Sequence, residues 1–490
     1  MATPPVNQWK TLDKDLKRIG RVEEATQFVA RPLVAPGLAL AFIVAAGVVA
    51  ALLTGGQPGF FIVVAAAAIG AYMALNIGAN DVANNMGPAV GAQALTLGGA
   101  LAIAAIFETA GALIAGSDVV QTISTGILAP GTVDDPRQFV WAMMAALLAS
   151  AVWLNLATWL GAPVSTTHSV VGGIVGSGIV AAGFGAVNWG AMGMIALSWV
   201  ISPVLGGVFA AMILAFIKAR IMYAEDKIAA ARRWVPVLIG IMAGAFTSYL
   251  ALKGLKALYP VTLWQATGLG FVAGVLGWAV WVPIVRRQSE GLENRKKSLR
   301  KLFSFPLVAS AALLSFAHGA NDVSNAVGPL AAIVQTVRHG TIEGTVGVPF
   351  WVMITGALGI SVGLMLFGPK LIRLIGSEIT KLNPMRAFCV ALSAAITVIV
   401  ASWLGLPVSS THIAVGAIFG VGFYREWHAE RRARALGLVK GKPIPPEERS
   451  HRKLVRRSHI LTVIAAWVVT VPVSAALAAG LYLGMTLLTR

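Results

Sequence analysis

The chain has few charged residues and a single cysteine. Only 12% of its 490 residues are charged, whereas 57% are hydrophobic, which is far from the balance of soluble globular domains. The one cysteine, Cys389, excludes an internal disulfide. These two deficits exclude a soluble globular fold and a small disulfide-stapled fold.

Long apolar runs take the place of the missing charge. Runs of about 20 apolar residues recur along the chain, and each is long enough to cross a bilayer as a helix. The runs are continuous and do not alternate between apolar and polar residues, which disfavours a membrane β-barrel. The sequence therefore predicts an all-α, polytopic integral membrane protein.

The formal net charge of +18 invites a nucleic-acid interpretation, but the distribution of the basic residues argues against it. Of the 38 Lys and Arg residues, 33 lie in five segments: 1–31, 218–233, 286–301, 369–386 and 425–457. Loops that alternate between basic-rich and basic-poor follow the positive-inside rule. We therefore expect a multi-pass protein of the cell membrane with a cytoplasmic N-terminus, basic loops that meet anionic lipids, and no nucleic-acid partner.

Placing the basic segments in the cytoplasm predicts thirteen crossings. They are 33–53, 59–93, 96–116, 138–160, 161–182, 190–217, 234–253, 263–285, 304–336, 349–367, 385–403, 405–423 and 459–487. Segments 161–182 and 405–423 are rich in glycine and fit re-entrant hairpins equally well. The prediction is thus about 12–13 membrane segments.

Two motifs occur twice, in the same order. Residues 78–88 read GANDVANNMGP and residues 319–329 read GANDVSNAVGP, whereas 160–168 read LGAPVSTTH and 404–412 read LGLPVSSTH. In the predicted topology the two copies run in opposite directions through the membrane. The sequence therefore predicts two inverted repeats with broken or re-entrant helices, whose paired interruptions mark a transport site near the bilayer midplane.

This topology divides the chain into six parts. They are an N-terminal segment with an additional helix at 1–58, the first repeat at 59–189, connecting packing helices at 190–303, the second repeat at 304–424, a basic loop at 425–458 and a C-terminal helix at 459–490.

The first motif supplies oxygen ligands. Asp81 and Asp322 lie in the middle of predicted spans, where an ionised carboxylate is costly and marks an ion pathway. With Lys and Arg absent from the middle of the spans, we expect these carboxylates to meet a bound cation or a proton. Four Asn residues of the motif would add neutral oxygens of the kind that hard cations prefer: Asn80, Asn84, Asn321 and Asn325. The flanking glycines and Gly-Pro pairs are expected to break the helix and free backbone carbonyls.

The second motif suits an anion. Pro163 and Pro407 fit the first turn of a helix, so the residues that follow them present N–H groups and hydroxyls at a helix N-terminus. These are Ser165, Thr166, Thr167, Ser409, Ser410 and Thr411. An oxyanion held by hydroxyls and amides beside carboxylates implies cation-coupled anion symport.

Three other polar residues are candidates. Glu108 lies in mid-span without an acidic counterpart at 351–360, and it fits a coupling-ion ligand or a tether to a neighbouring helix equally well. His168 and His412 follow the hydroxyl residues, and either hydrogen bonding that holds a loop or protonation during transport would explain them.

The duplicated motifs resemble those of the inorganic phosphate transporter (PiT) family over about residues 59–487. The resemblance implies a symporter that imports inorganic phosphate with Na⁺ or H⁺ and has no other cofactor. It assigns the six Ser and Thr residues, with Asn84 and Asn325, to phosphate. It assigns Asn80, Asp81, Asn321 and Asp322 to the coupling ion, with Asp81 and Asp322 as ligands if that ion is Na⁺. Glu108 joins this set as a coupling-ion residue because of its position in mid-span. The chain departs from the family pattern at Asn85, Ser324 and the helix at 33–53.

Alternatives remain at this stage. A symporter for sulfate or another tetrahedral oxyanion would use the same hydroxyls. An intramembrane hydrolase built on Ser165, His168 and Asp81 is disfavoured, because Ser and His three residues apart do not define a nucleophile and its base, and we expect no enzyme. A passive channel is a further alternative, and it would fail if uptake follows the cation gradient and saturates with substrate. The sequence neither requires nor excludes a homodimer.

Overall fold

The structure is a computed structural model that describes residues 33–129, 131–133, 135–160, 162, 164–254, 259–342, 347–378, 382–435 and 457–488. The N-terminal segment 1–32, residues 436–456 of the basic loop, and Pro163 lie outside the described residues.

The described chain folds into α-helices, and its one β-bridge joins Leu128 to Val187. The helices are α1 (Leu33–Thr54), α2 (Phe60–Gly91), α3 (Leu97–Ala115), α4 (Ser117–Gln121), α5 (Pro136–Leu160), α6 (Thr166–Ala182), α7 (Trp189–Ile217), α8 (Lys227–Lys253), α9 (Leu263–Gln288), α10 (Leu299–Leu302), α11 (Ser304–Asp322), α12 (Ser324–His339), α13 (Phe350–Glu378), α14 (Pro384–Trp403), α15 (Ser410–Ala435) and α16 (Arg457–Leu488). Single π-helical turns follow α4 and α7, at Thr122–Gly126 and Lys218–Met222.

Each predicted crossing coincides with a helix of the structure. Among the described residues, 11 helices are long and apolar enough to span a membrane, and α11 and α12 count as one such span, Leu299–His339. Helix α6 is shorter, at 17 residues, and α15 is polar over its second half. The predicted all-α, polytopic membrane fold is confirmed.

Helix ends follow local sequence signals. Thr96 and Asn188 cap α3 and α7 by accepting hydrogen bonds from backbone N–H groups of the first turn. Asp226 caps α8 in the same way, and Thr262 forms a reciprocal capping box with Gln265 at the start of α9. These side chains satisfy N–H groups that a helix in an apolar medium cannot leave unpaired.

The two repeats exchange helices. Helix α2 of the first repeat packs along α13 of the second, and α11 of the second packs along α3 of the first. Glycines make these contacts close: a Cβ atom at Gly78 would overlap the carbonyl oxygen of Ile360, and one at Gly319 would overlap that of Glu108. Equivalent contacts therefore recur in both halves, as an internal two-fold relation requires.

The repeat extends one helix beyond the second motif. Helix α15 packs on α7, and α6 packs on α16, through glycines whose missing Cβ atoms would meet backbone of the partner helix. Gly416 and Gly420 of α15 correspond in this way to Gly172 and Gly176 of α6. Helices α7 and α16 are thus counterparts, which leaves α8 and α9, packed on each other, as the added pair between the halves.

The expectation that the Gly-Pro pairs break the helix is wrong. Helix α2 continues through Gly87 and Pro88, and in the second copy α11 and α12 are separated only at Val323. The glycines that flank the motif instead permit close approach of the helices described above. Because proline has no N–H, it leaves the carbonyl four residues earlier without its helical donor, and in α2 that carbonyl belongs to Asn84.

A glycine substitution tests the close contact between α11 and α3. We expect Gly319→Ala to lower stability by about 1–3 kcal/mol, because the new methyl group collides with the backbone of Glu108. Gly268→Ala in α9 is the matched control, since nothing lies within 4 Å of its Cβ position. Thermal unfolding in detergent would measure both variants. Equal melting temperatures for Gly319→Ala and the wild type would contradict the packing.

Candidate functional site

The four motifs meet in the interior of the helical bundle. Asn84 Nδ2 of the first motif donates to Thr411 Oγ1 at 2.9 Å, and Thr411 Oγ1 donates to Asp81 Oδ1 at 3.0 Å. The Thr411 hydroxyl therefore joins Asn84 and Asp81, which precede Thr411 in the chain by 327 and 330 positions. This group links the first Asn-Asp motif to the start of α15.

The second Asn-Asp motif repeats the contact of the Asn but not that of the Asp, whose hydroxyl partner Ser410 belongs to the same repeat. Asn325 Nδ2 donates to Thr167 Oγ1 at 3.2 Å and lies 3.5 Å from Thr166 Oγ1. Ser410 Oγ donates to Asp322 Oδ2 at 2.9 Å. Each Asn-Asp motif thus contacts hydroxyls from the opposite repeat, and all these side chains are buried.

The N-termini of α6 and α15 face each other. Ser165 and Ser409 cap the two helices by accepting from the backbone N–H of His168 and His412, at 3.1 and 3.3 Å. The rings of these two histidines lie 4.5 Å apart, centroid to centroid. Two helix N-termini aimed at one region concentrate N–H donors and partial positive charge there.

Pro407 does not occupy the first turn of its helix, contrary to the expectation, and Pro163 lies outside the described residues. Pro407 lies two residues before the cap Ser409, and its carbonyl accepts a hydrogen bond from Trp199 Nε1 at 3.0 Å. Thr167 Oγ1 donates to the neighbouring carbonyl of Val408 at 3.0 Å. The serine takes the capping position because its hydroxyl can bind a free N–H group, whereas proline fixes the extended chain before it.

A histidine that the sequence analysis did not consider lies between the two aspartates. His318 Nε2 lies 2.9 Å from Asp322 Oδ2 and 3.6 Å from Asp81 Oδ2, and all three side chains are fully buried. The expectation considered only Lys and Arg as counter-charges and is therefore incomplete, since the His318 imidazole becomes a counter-charge for both carboxylates when it is protonated. The available signal was a histidine inside an apolar run, directly before the second GAND motif.

Glu108 completes this cluster. Its Oε2 lies 3.3 Å from His318 Nδ1, and its Oε1 accepts from Asn85 Nδ2 at 2.9 Å. Asn85, the departure from the family pattern, thus has a partner. Glu108 thus contacts Asn85 of α2 and His318 of α11. This position is compatible with both roles expected of it, as a tether between helices and as a ligand of the coupling ion.

Three members of this cluster, Asn85, Glu108 and His318, have apolar counterparts under the internal two-fold relation. The paired contacts of Gly78 with Ile360 and Gly319 with Glu108 show that Ile360 occupies the position equivalent to Glu108. By the same relation, Ile77 replaces His318 and Ala326 replaces Asn85. Carboxylate, imidazole and amide on one side therefore correspond to three apolar side chains on the other.

Several oxygens of the site accept no hydrogen bond from the described residues. They are Asp81 Oδ2, Asp322 Oδ1, Asn321 Oδ1 and Asn325 Oδ1, all buried. One ligand atom from each of Asp81, His318 and Asp322 lies within 4.8 Å of the others. Buried oxygens of carboxylate and amide type form a donor set that suits a hard cation.

Two predicted ligands use their amide nitrogen to hold neighbouring helices. Asn80 Nδ2 donates to Thr158 Oγ1 at 3.1 Å, and Asn321 Nδ2 donates to Ser402 Oγ at 3.0 Å. These equivalent bonds tie each Asn-Asp motif to the helix that precedes the second motif. The amide oxygens are thereby turned away from these partners.

Inverted helix repeats that bring carboxylates and two helix N-termini together inside an apolar bundle define the class of secondary membrane transporters. Comparison with known proteins agrees with this class. Residues 77–478 match the family described as "Phosphate transporter family". The chain belongs to the phosphate transporter family, and the resemblance seen in the duplicated motifs is confirmed.

Individual relatives cover most of the chain. A protein of Helicobacter pylori named "Putative phosphate permease" is 42% identical over 96% of this chain and 98% of its own length. One of the same name from Chlamydia trachomatis is 37% identical over 83% of this chain and 94% of its own. A solved structure titled "The sodium-dependent phosphate transporter" is similar with a TM-score of 0.79, at 35% identity, over 87% of this chain and 99% of that one.

A mutant cycle tests the contact between Asn85 and Glu108. We expect Glu108→Ile to lower stability by about 1–3 kcal/mol, because it leaves the buried amide of Asn85 unpaired. Adding Asn85→Ala, which recreates the residue types of the other repeat, should recover part of that loss. Thermal unfolding in detergent would measure the coupling, and strictly additive effects of the two substitutions would contradict it.

Proposed function

We propose that this protein imports inorganic phosphate, driven by the gradient of a cation that binds at the Asp81 and Asp322 carboxylates. Phosphate would lie between the N-termini of α6 and α15, held by the hydroxyls and backbone N–H groups of residues 165–167 and 409–411. Asn84 and Asn325 would contact the same anion through their amide nitrogens. Asn80, Asn321 and Glu108 belong to the cation side.

One observation carries this proposal: Thr411 Oγ1 is bonded to Asn84 Nδ2 and to Asp81 Oδ1 at once. An anion that recruits the Thr411 hydroxyl takes a donor away from the Asp81 carboxylate. A cation at that carboxylate would offset this loss and release the hydroxyl to the anion. Binding of the two ions is thereby coupled through a shared group, and such coupling is reciprocal.

Electrostatics give the same direction. Phosphate carries negative charge, and it would approach two buried carboxylates whose repulsion is strong in a medium of low dielectric constant. A cation between the carboxylates and the anion lowers that repulsion. Because the site gains stability only when both ions are present, transport of one without the other is disfavoured.

The solved transporter that resembles this chain is described as sodium-dependent, which supports Na⁺ as the coupling ion. The decisive experiment is phosphate uptake into proteoliposomes with Na⁺ and pH gradients imposed separately. Uptake that follows the Na⁺ gradient without a pH gradient is the expected result, and uptake that follows only the pH gradient would assign the role to H⁺. Uptake that is indifferent to both gradients would contradict a symporter and indicate a channel.

Selectivity for phosphate is tested in the same vesicles. The hydroxyls and N–H groups of the anion site fit any tetrahedral oxyanion, so the family membership carries the assignment to phosphate. Excess sulfate should leave uptake of labelled phosphate unchanged. Strong inhibition together with saturable sulfate uptake would support a broader oxyanion symporter.

The geometry of Ser165 argues against a hydrolase. Its hydroxyl accepts a hydrogen bond from the backbone N–H of His168, which is the bond of a helix cap. This bond gives Ser165 a structural role at the start of α6, and the family to which the chain belongs is one of transporters. The proposal therefore assigns no catalytic residue.

The basic segments support insertion in the cell membrane with the N-terminus in the cytoplasm. In this orientation the basic loops face the anionic lipids of the inner leaflet.

Substitution of each aspartate tests the cation side. We expect Asp81→Asn and Asp322→Asn each to abolish coupled phosphate uptake, because an amide keeps the shape of the side chain but removes the charge that attracts the cation. Asp135→Asn, in the loop before α5, is the control. Uptake at the wild-type rate by either motif variant, at equal protein incorporation, would refute its role.

Removing single hydroxyls tests the anion side. Thr167→Val and Thr411→Val should each raise the KM for phosphate about tenfold or more, since a hydrogen bond to a charged group contributes about 1.5–3 kcal/mol. Thr267→Val in α9 is the matched control, because that exposed hydroxyl bonds only the carbonyl of Leu263 in its own helix. An unchanged KM in both motif variants would place phosphate elsewhere.

A further inference from the structure

Basic side chains gather at the end of α7, the start of α14 and the second half of α15, away from the transport site. We call this group the basic cluster; it comprises Lys218, Lys296, Arg386, Arg425 and Arg432. The residues come from the end of α7, the loop before α10, the start of α14 and the second half of α15. Four separate segments thus bring positive charge to one place.

Lys218 lies at the centre of the cluster. Lys218 is only 9% exposed, and its Nζ lies 4.8 Å from the ring centroid of Tyr424. The charges that act on it most strongly are all positive, those of Arg425, Arg386, Lys296 and Arg432. A buried lysine among like charges is unfavourable unless an anion offsets the repulsion.

The acids of α15 do not neutralise the cluster. Glu426 lies beside Arg425 and attracts it, while Glu430 pairs with Arg434 at 3.7 Å, at the exposed end of the helix. The rings of Tyr223 and His428 are stacked with their centroids 5.5 Å apart, and the cationic groups of Arg432 and Lys296 lie 4.5 and 5.2 Å from the Tyr223 ring centroid. A positive excess therefore remains at the ends of these helices.

An apolar groove opens directly beside the cluster. It has a volume of about 1200 Å³ and lies between α7, α15 and α16, with Val204, Val208, Phe423 and Tyr424 in its wall. Val204 is 60% exposed and Phe423 45%, so the groove is open to the hydrocarbon of the bilayer. Tyr424 belongs to both features, since its ring lines the groove and also contacts Lys218.

The cluster lies at the depth of lipid headgroups. Arg425 follows Ser410, in the transport site, by 15 residues of one helix, which corresponds to about 22 Å. Half the thickness of a bilayer with its headgroups is also about 20–22 Å. With the transport site at the midplane, positive charge stands at the headgroup level and the groove stands at the level of the acyl chains.

We propose that the basic cluster and the groove bind one anionic phospholipid, with its phosphodiester at Lys218 and Arg425 and an acyl chain along α7 and α15. Free phosphate and the lipid headgroup both carry a negatively charged phosphate group. The apolar groove beside the cluster favours the lipid, because only the lipid has an acyl chain to fill it. This inference does not depend on the proposed transport function.

Lipid retention by native mass spectrometry tests the proposal. The protein would be reconstituted with phosphatidylglycerol or phosphatidylcholine and then released from detergent in the mass spectrometer. We expect one phosphatidylglycerol to remain bound and phosphatidylcholine to be lost. Lys218→Gln/Arg425→Gln should weaken retention, by about fivefold for each charge removed. Arg425→Gln alone serves if the double variant does not fold.

Two further variants distinguish the source of the phosphate group. Val204→Trp fills the groove without touching the cluster, so it should abolish lipid retention as well. Arg287→Gln, an exposed basic residue at the end of α9, is the charge control and should retain the lipid.

Three results would overturn the proposal. Equal retention by wild type and Lys218→Gln/Arg425→Gln would show that the cluster holds no headgroup. Lipid retention that survives Val204→Trp but is displaced by inorganic phosphate would assign the cluster to free phosphate. A dimer without bound lipid that Val204→Trp dissociates would assign the groove to a second copy of this chain.

Discussion

The constraint on which the rest of this structure depends is the burial of two aspartates, Asp81 and Asp322, inside a bundle of apolar helices. A carboxylate in such a medium is stable only beside compensating groups. The second repeat supplies them for both aspartates: His318 lies between the two, Thr411 donates to Asp81, and Ser410 donates to Asp322. Asp81 of the first repeat thus takes its partners from the opposite half, whereas Asp322 finds partners within its own repeat, so the polar environment of Asp81 depends on the exchange of helices between the halves.

The helix exchange follows the internal two-fold relation, whereas the side chains of the site depart from it, and the two features have different consequences for the site. The exchange of helices, with glycines at equivalent close contacts, builds two similar surfaces that face one site. Two identical surfaces would offer two equivalent places for a cation. The cluster of Asn85, Glu108 and His318 removes that equivalence, because the other half carries apolar side chains at the corresponding positions. The candidate site thus has one polar side, on which the buried ionisable side chains are concentrated.

Most of the fold could be predicted from the sequence, because long apolar runs and duplicated motifs are direct signals of membrane helices and internal repeats. The same motifs predicted which polar side chains the fold brings together. His318 was missed although it lies in an apolar run before the second motif, because its contacts with Asp81 and Glu108 depend on which helices lie opposite. The continuity of α2 through Pro88 and the equivalence of α7 with α16 also depend on packing between distant segments, which no local sequence pattern records.

The central claim is that cation and oxyanion bind to one connected set of side chains. Equilibrium binding of labelled phosphate to the purified protein, measured across a range of Na⁺ concentrations at several fixed pH values, tests it most directly. The account predicts that phosphate affinity rises with the concentration of the coupling cation until the cation site saturates, and that phosphate raises cation affinity by the same factor. A phosphate affinity that is independent of both Na⁺ and pH would contradict it.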